Sequence, residues 1–286
     1  MKVNIEEIKD QLTPKNISFL SCMDIKDQKY IINLFKSQKV KNFKDAKKKL
    51  KARKKDFSLI REKHFGYELI CADVRNINGQ IKDNSVDWII TDPPYPKEYL
   101  SLYDNLAQFS KKALKDGGSL ICMVGQSYLP EIISMLSKEL NYHWVLSYLT
   151  PGGQATQLWQ RNVNTFWKPL LWFVKGEYKG DWIGDVCKSK VNDNDKRFHN
   201  WGQSESGIVD IIERFTYPKE LIVDPFVGGG TIGYIAVKMK RRFIGIDIDK
   251  ECVEITKKRL KEIKNNTMNP KESKNSKNSD IFKDKF

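Results

Sequence analysis

The chain has 286 residues, 40% of them hydrophobic, and a formal net charge of +14 at pH 7. A chain of this length is expected to form about two domains, and its apolar content is sufficient for a real core, so we expect a globular protein. No run of residues reaches the roughly 18 apolar positions that a membrane span requires, and the first residues lack the apolar segment of a secretion signal, which argues against a membrane protein.

The five cysteines are scattered, and none lies in a CxxC pair or at metal-ligand spacing from a histidine. This pattern predicts neither a metal site nor a disulfide framework, and it fits a cytoplasmic location. The positive charge favours a polyanionic partner, most simply nucleic acid. The alternative is an AT-rich coding sequence, which enriches lysine, asparagine and isoleucine together.

The first 65 residues are predicted to be a helical, basic extension without strands. One stripe of a predicted helix is apolar, and it comprises Phe43, Ala46, Leu50, Phe57 and Ile60. The other faces of that helix carry lysines and an arginine, so we expect the stripe to pack on a domain and the charges to face outward. The sequence leaves open whether the lysines contact phosphates or only water.

From Tyr67 onward, short apolar strands alternate with helical segments, which is typical of an α/β sheet built from crossover units. The predicted strands are ELICADV, VDWII, SLICMV, HWVLSYL, PLLWFV, LIVD and RFIGID. Predicted helices run from Leu102 until Gly117 or Gly118, from Leu129 to Leu140, from Ile208 to Phe215, from the glycine-rich turn to Met239, and onward from Lys250. We assign this domain to residues 66–263 and expect the polar tail at 264–286 to be disordered.

The stretch TDPPYP, residues 91–96, follows the strand VDWII. Its consecutive prolines, Pro93 and Pro94, fix φ and remove two backbone donors, so the loop is stiff and its carbonyls are left as acceptors. Asp92 adds a carboxylate and Tyr95 adds an aromatic ring. The loop is therefore predicted to hold a polar group in place.

A glycine-rich turn, LIVDPFVGGGTIG, places Gly228, Gly230 and Gly233 in GxGxxG spacing, and Asp247 ends the next strand. This layout predicts a nucleotide-type site, in which glycines let the backbone approach the ligand and the acid binds ribose hydroxyls. A tight turn without a ligand is the structural alternative.

The ligand of this turn is predicted to be S-adenosylmethionine rather than a dinucleotide. Asp224 and Phe226 suit a cationic sulfonium and amino group, whereas the acid would repel a pyrophosphate. Both loops are expected at the carboxyl edge of the sheet. If the substrate is the exocyclic amine of a base, Asp92 and the Pro93 carbonyl accept its two N–H groups and aim its lone pair at the methyl group. The base would stack on Tyr95 after leaving the duplex.

Together, TDPPYP, the later DPFVGGGT, CADV before them and GIDIDKECVEI after them resemble the amino-methyltransferases of DNA, in the order of their permuted β class. The resemblance covers roughly residues 67–263. It implies a Rossmann-like methyltransferase fold, a mainly parallel sheet with helices on both faces. It also implies that Asp92 and Pro93 bind the target amine in a catalytic loop that includes Pro94 and Tyr95.

The resemblance implies that Asp73 contacts the cofactor adenine and Asp247 its ribose. The predicted cofactor-binding residues are therefore Asp73, Asp92, Asp224, Phe226, Gly228, Gly230, Thr231 and Asp247. Where the family often has His-x-x-x-Lys-Pro, this chain has HNWGQS, residues 199–204, as in a variant of phage and mobile-element enzymes. A cofactor contact from Gln203 or Ser204 stays open.

The predicted target-recognition region, residues 176–198, is short, which leaves room for the basic N-terminal helices to share in reading DNA. Four aromatic residues precede it, namely Trp159, Phe166, Trp167 and Trp172. One of these rings is a candidate to sandwich a flipped base, but we expect most of them in the core. None of the three histidines, His64, His143 and His199, shows a catalytic partner in the sequence.

We therefore predict a site-specific DNA methyltransferase that transfers a methyl group from S-adenosylmethionine to N6 of adenine in duplex DNA with a flipped target base. The alternatives are N4 of cytosine, N6 of adenine in RNA, and a non-catalytic nucleic-acid-binding subunit. Whether a second copy of the chain or a restriction endonuclease is a further partner stays open, and so does the recognition sequence.

Overall fold

The computed structural model of the chain describes residues 5–21, 23, 25–56, 60–64, 66–77, 79–152, 156–191, 193 and 203–268. The chain divides into two compact units, Met1–Ile60 and Arg61–Phe286. Within the described ranges, no helix is long and apolar enough to cross a membrane.

The N-terminal unit is helical. A short 3-10 helix (Ile5–Gln11) is followed by α1 (Pro14–Ser21), α2 (Ile25–Lys36) and α3 (Phe43–Asp56). Three residues of the predicted apolar stripe, Phe43, Ala46 and Leu50, are buried and pack with residues of α1 and α2 in a core of this unit. Phe57 and the side chain of Ile60 lie outside the described part of the chain.

The second unit contains the predicted α/β pattern. Its strands are β1 (Ile60–His64), β2 (Tyr67–Cys71), β3 (Val86–Thr91), β4 (Leu114–Met123), β5 (Asn141–Leu149), β6 (Thr156–Leu158), β7 (Val163–Thr165), β8 (Trp167–Val174), β9 (Val186–Lys188), β10 (Leu221–Asp224) and β11 (Arg242–Asp247). Its helices are α4 (Ser101–Ala113), α5 (Leu129–Leu136), α6 (Glu205–Phe215), α7 (Thr231–Lys238) and α8 (Lys250–Met268).

Several predicted boundaries were wrong. The strand β1 begins within the first 65 residues, where only helices were predicted, and β6, β7 and β9 had no predicted counterpart. The helix α4 ends at Ala113, before the predicted stop at Gly117 or Gly118. At the other end, α8 continues through residues 264–268 of the predicted tail, whereas 269–286 lie outside the described ranges.

The second unit contains one sheet of nine strands, whose order is β1-β2-β11-β10-β3-β4-β8-β5-β9. The strands β6 and β7 form a separate hairpin. The neighbours from β2 to β4 are parallel, whereas β8 is antiparallel to both β4 and β5. The predicted mainly parallel sheet is therefore confirmed. Because parallel strands end at the same edge, the loops after β2, β11, β10 and β3 open at one edge of the sheet.

The third glycine of the GxGxxG spacing has a packing role. Gly233 lies in α7, and a Cβ atom there would be 2.4 Å from Cε1 of Phe243 in β11. Phe243 is buried, so its ring has little room to move. The glycine therefore allows α7 to lie close against the sheet.

Gly233→Ala is expected to lower the free energy of unfolding by roughly 1–3 kcal/mol, because the added methyl group overpacks the contact with Phe243. Helix propensity acts in the opposite direction, since alanine is the better helix former. Urea denaturation measures the change. Gly233→Ala combined with Phe243→Leu should recover part of the loss, and an unchanged single variant would contradict the packing role.

Candidate active site

A buried hydrogen bond joins the two strands that carry the predicted loops. Thr91 is the last residue of β3, and its Oγ1 donates to Oδ1 of Asp224, the last residue of β10, at 2.7 Å. The two strands are parallel neighbours, with Val223 paired to Ile89. The structure thus brings the TDPPYP loop and the glycine turn together at one sheet edge, as the sequence predicted.

The carboxylate of Asp92 lies in this loop and accepts two hydrogen bonds from side chains. The hydroxyl of Tyr95 donates to Oδ1 at 2.5 Å. Nε2 of Gln203 donates to Oδ2. Both oxygens of this carboxylate therefore already have a donor within the chain.

The surroundings of Asp92 favour its protonated form. Burial raises the pKa of Asp92, while the positive charge of Lys168 and the hydrogen bonds from Tyr95 and Gln203 oppose that shift. Lys168 lies in β8, with its Nζ 5.6 Å from the centre of the Tyr95 ring. Lys168 was not predicted as a site residue, because its proximity to the loop depends on the antiparallel pairing of β8 with β4.

Tyr95 was predicted to provide a stacking surface. The structure shows a half-buried ring whose neighbour is Gly125, where a Cβ atom would come within 3.4 Å of ring atoms. Burial raises the pKa of Tyr95 well above its ordinary value, so the hydroxyl stays protonated and can donate to Asp92. Tyr95 therefore orients the carboxylate, a role that the sequence did not predict.

The prolines and the backbone of the glycine turn lie where the sequence placed them. Pro93 is buried and Pro94 is half-buried. Gly228 and Gly230 have φ values of +48° and +73°, a region that favours glycine. At Gly230 a Cβ atom would also be 2.5 Å from Oγ1 of Thr256 in α8, so a side chain does not fit there.

The two acids predicted to bind the cofactor adenosine lie at the ends of neighbouring strands, because Asp247 is the last residue of β11 and Asp73 follows the end of β2 by two residues. The backbone N–H of Ala72, next to Asp73, donates to the backbone carbonyl of Asp247 at 2.9 Å. Oδ2 of Asp247 accepts from the N–H of Gly228 at 2.9 Å, which holds the turn against β11. Asp73 forms an ion pair with Arg75 at 2.5 Å. Both carboxylates therefore also have local structural partners.

A buried arginine of α8 braces the glycine turn. Nη1 of Arg259 donates to the carbonyl of Gly229 at 2.6 Å and to Oγ1 of Thr231 at 3.1 Å. Its Nη2 pairs with Glu205 of α6 at 2.9 Å. Thr231, predicted to bind the cofactor, thus contacts Arg259. Arg259 was not predicted as a site residue. The sequence feature that could have indicated it is its position next to Leu260, which is buried in α8.

Three carboxylates lie around the turn and repel one another. Burial raises the pKa of Asp224 to about 7, and the charges of Asp247 and Asp92 act in the same direction. The hydrogen bonds from Thr91 and from the backbone N–H of Phe226 oppose the shift. Such a cluster fits a ligand that is cationic and carries ribose hydroxyls. Phe226 is half-buried and packs on the core.

The aromatic cluster is divided between core and surface. Trp172 is buried, whereas Trp159 is 80% exposed, Phe166 67% and Trp167 36%. The expectation that most of these rings are in the core was therefore wrong. Trp159 follows β6 in the β6–β7 hairpin, whose exposed positions do not bury an apolar face.

The hairpin is attached beside Tyr95. Gln126, which follows the glycine packed on that ring, donates through Nε2 to Oγ1 of Thr165 at 2.8 Å and to the carbonyl of Trp167 at 3.1 Å. Arg161 adds a bond to the carbonyl of Ser127 at 3.3 Å. The hairpin consequently lies on the side of the site on which Tyr95 lies.

The other predicted residues lie away from this arrangement or outside the described ranges. His143 packs on Trp172, with ring centres 4.2 Å apart. His199 is outside the described residues, as is the side chain of His64. The structure describes 176–191 and 193 of the predicted target-recognition region. Among the described residues, no group of three or more His, Cys, Asp or Glu side chains is placed to hold a metal ion.

Comparisons with known proteins agree with this geometry. A family model described as DNA methylase (N6_N4_Mtase) matches residues 86–258. The Type II methyltransferase M.HpaI of Haemophilus parainfluenzae is 27% identical over 234 residues, 67% of this chain and 73% of that protein. The DNA adenine methyltransferase YhdJ of Escherichia coli (strain K12) is 24% identical over 234 residues, 63% of this chain and 78% of that protein.

A solved structure shows the shared fold. The crystal structure of the M1.HpyAVI-SAM complex superposes with a TM-score of 0.58 at 23% sequence identity. The match covers 68% of this chain and 98% of that one. The predicted Rossmann-like fold is therefore confirmed.

The raised pKa of Asp224 predicts that stability falls as pH rises toward 7. Between the ordinary carboxyl pKa of 3.8 and about 7, the folded protein keeps this proton and the unfolded chain releases it. Each pH unit in that window should therefore favour unfolding by at most about 1.4 kcal/mol. Urea denaturation across this window should show a smaller fall for Asp224→Asn than for the wild type.

Thr91→Val provides the complementary test. It removes the hydroxyl whose hydrogen bond to Asp224 lowers the pKa of that carboxyl. The pKa of Asp224 should therefore rise in the variant, and the fall in stability should continue to higher pH than in the wild type. If the free energy of unfolding of the wild type and of Asp224→Asn depended equally on pH, Asp224 would not be the group responsible for the fall in stability.

Proposed function

The chain belongs to the DNA methylase family, since the family model spans more than half of it, and we propose that this DNA methyltransferase methylates N6 of adenine. The enzyme uses S-adenosylmethionine, as its fold and family indicate. The observation that carries the proposal is the Thr91–Asp224 hydrogen bond, because it fixes the acceptor loop beside the glycine turn. An aspartate rather than a serine at position 92 favours adenine, and the resemblance to a DNA adenine methyltransferase agrees.

In this proposal Asp92 and the carbonyl of Pro93 accept the two N–H groups of the target amine. These bonds draw the nitrogen toward tetrahedral geometry and free its lone pair from the ring. S-adenosylmethionine, when bound, would supply an electrophilic methyl group, with neutral S-adenosylhomocysteine as the leaving group. The amine nitrogen gains that methyl group and loses one proton, for which the Asp92 carboxylate or water is the acceptor. The raised pKa of Asp92 suits it to hold this proton.

The cofactor residues are part of the same proposal. Asp73 is assigned to the adenine and Asp247 to the ribose, because the two acids lie at the ends of neighbouring strands. Asp224 and Phe226 are assigned to the charged methionine end. A buried carboxylate with a raised pKa is stabilised in its ionised form by a nearby cation. The remaining contacts are assigned to the backbone of the turn, at Gly228, Gly230 and Thr231.

Three alternatives make different predictions. The family includes enzymes of both N6 and N4 specificity, as its name states, and N4 of cytosine presents the same two N–H donors to Asp92. RNA as substrate is separated from duplex DNA by competition in a methyl-transfer assay. A non-catalytic subunit would fail to bind S-adenosylmethionine in calorimetry.

Contacts with DNA are assigned to two surfaces. The β6–β7 hairpin presents Trp159 and Phe166 beside the TDPPYP loop, and exposed aromatic rings are suited to stack on unpaired bases. The N-terminal unit, residues 1–60 in the structure and 1–65 in the sequence-based assignment, has exposed lysines suited to phosphates. These include Lys39, Lys41, Lys44, Lys47 and Lys48.

The remaining partners are also proposals. Similarity to a Type II methyltransferase supports a restriction endonuclease that reads the same site, and hence a place in a restriction-modification system. A homodimer is a second proposal, and size-exclusion chromatography with light scattering tests it. A cytoplasmic location follows from access to cellular DNA, and free Cys71, Cys122, Cys187 and Cys252 are compatible with a reducing compartment.

Expression in a host without DNA methylation, followed by nucleoside mass spectrometry, should detect N6-methyladenine. Asp92→Ala should reduce its formation roughly 10²- to 10⁴-fold, because it removes an amine acceptor and the proposed proton acceptor. Asp83→Ala, at an exposed acid, is the matched control. N4-methylcytosine would replace the adenine assignment, and an active Asp92→Ala variant would remove Asp92 from the mechanism.

Trp159→Ala is expected to raise the KM for DNA about 5- to 100-fold and to leave the KM for S-adenosylmethionine unchanged, in line with the strength of a base–aromatic stack. Trp182→Ala provides the comparison, because this ring is fully exposed in the predicted target-recognition region. Its effect should be smaller. A larger effect at Trp182 would assign the main DNA contact to that region instead.

A further inference from the structure

The carboxylate of Asp92 accepts a hydrogen bond from an N–H donor that has the same kind of nitrogen as the proposed target amine. The donor is Nε2 of Gln203, part of a planar carboxamide whose nitrogen carries two hydrogens. The exocyclic amine of adenine or cytosine is also a planar nitrogen with two hydrogens. A carboxylate placed to accept from one is equally able to accept from the other.

The backbone that carries Gln203 is fixed by the residues that follow it. Ser204 is buried and caps α6, where its Oγ accepts from the N–H of Gly207 at 3.1 Å. The same Oγ donates to Asp193 at 2.7 Å. A Cβ atom at Gly207 would lie 1.9 Å from the hydroxyl of Tyr148, so α6 begins in close contact with β5.

The side chain of Gln203 is less constrained than its backbone. It is half-buried and has three rotatable torsions, so the carboxamide can leave Asp92 by side-chain rotation while α6 stays in place. The carboxamide is also neutral. A lysine at this position would form an ion pair with Asp92, and a charge-assisted bond is stronger and harder to break.

The acceptor proposed for the target amine already has donors on both oxygens. Oδ1 of Asp92 accepts from Tyr95, and Oδ2 accepts from Gln203. An incoming amine N–H therefore meets a carboxylate that is already hydrogen-bonded. Of these two donors, Tyr95 belongs to the stiff TDPPYP loop, whereas Gln203 belongs to a different element and ends in a flexible side chain.

We propose that Gln203 is an internal substitute for the target amine, which occupies the Asp92 carboxylate in the base-free enzyme and is displaced by the flipped base. This inference rests on the proposed function of Asp92. Binding then exchanges one amine-like N–H for another, so Oδ2 of Asp92 keeps a donor throughout, while Oδ1 keeps its bond from Tyr95. As a consequence, the target amine adds little net affinity, and a base held in the site is not retained through Asp92.

The test compares how much the target amine contributes to binding in two proteins. The recognition site is read from methylated cellular DNA. Two duplexes are then prepared, one with the target adenine and one with purine, which lacks the amine. Dissociation constants are measured with S-adenosylhomocysteine present. In the wild type, the adenine duplex should bind less than about threefold more tightly than the purine duplex, because displacement of Gln203 offsets the new bond.

Gln203→Met keeps the side-chain length and removes the donor. With no carboxamide to displace, the preference for adenine over purine should increase about tenfold or more. Gln108→Met makes the same change at an exposed position of α4 and should leave the preference at its wild-type value. An unchanged or smaller preference in Gln203→Met would overturn the proposal and indicate that Gln203 stays on Asp92 when the base is bound.

Failure of this proposal must be distinguished from misfolding of the variant and from failure of the proposed function, and each has its own measurement. Thermal unfolding and calorimetric binding of S-adenosylhomocysteine report whether Gln203→Met is folded, and Gln203→Ala is tested in the same way if it is not. Failure of the proposed function is recognised by the absence of any methylated base in cellular DNA. If the product is N4-methylcytosine, 2-pyrimidinone replaces purine in the comparison.

Discussion

The hydrogen bond between Thr91 and Asp224 is the contact on which the site depends. It joins the ends of two parallel strands whose loops are more than 130 residues apart in the chain, and both partners are buried. A buried hydroxyl without its acceptor would be costly, so the bond resists any slip between β3 and β10. Because the register is fixed, the stiff TDPPYP loop and the glycine turn keep a constant separation, which direct methyl transfer between their ligands requires.

The second constraint is electrostatic. Three acids at one partly buried edge repel one another, and burial raises the pKa of both Asp92 and Asp224. Asp92 is stabilised by the positive charge of Lys168 and by the neutral donors Tyr95 and Gln203. Asp224 is stabilised by hydrogen bonds from the Thr91 hydroxyl and the Phe226 backbone N–H, which are neutral. Neutral donors at Asp224 leave its negative potential largely in place for a cationic ligand, whereas an ion pair would cancel it. The arginine of this region, Arg259, instead supports the turn from behind by binding backbone and hydroxyl oxygens.

One sequence-based expectation was wrong and one contact was not predicted, because both depend on how distant parts of the chain fold together. The aromatic run was assigned mainly to the core because aromatic residues are usually buried, but β6 and β7 form a hairpin outside the main sheet and expose Trp159 and Phe166. No side-chain donor to the carboxylate of Asp92 was predicted. The donor that occupies Oδ2 comes from residue 203, and neither composition nor spacing reveals such a distant partner.

The sequence by itself determined the α/β class, the strands that carry the two loops, and the residues at those loops, because these depend on local periodicity and on backbone chemistry that proline and glycine impose. Family resemblance added the role of Asp73 at the cofactor adenine. Only the tertiary structure decided which donors reach Asp92, that Arg259 braces the glycine turn, and that the hairpin is attached beside Tyr95. Those contacts join residues distant in the chain, and their geometry follows from strand order and helix packing, which local sequence patterns do not encode.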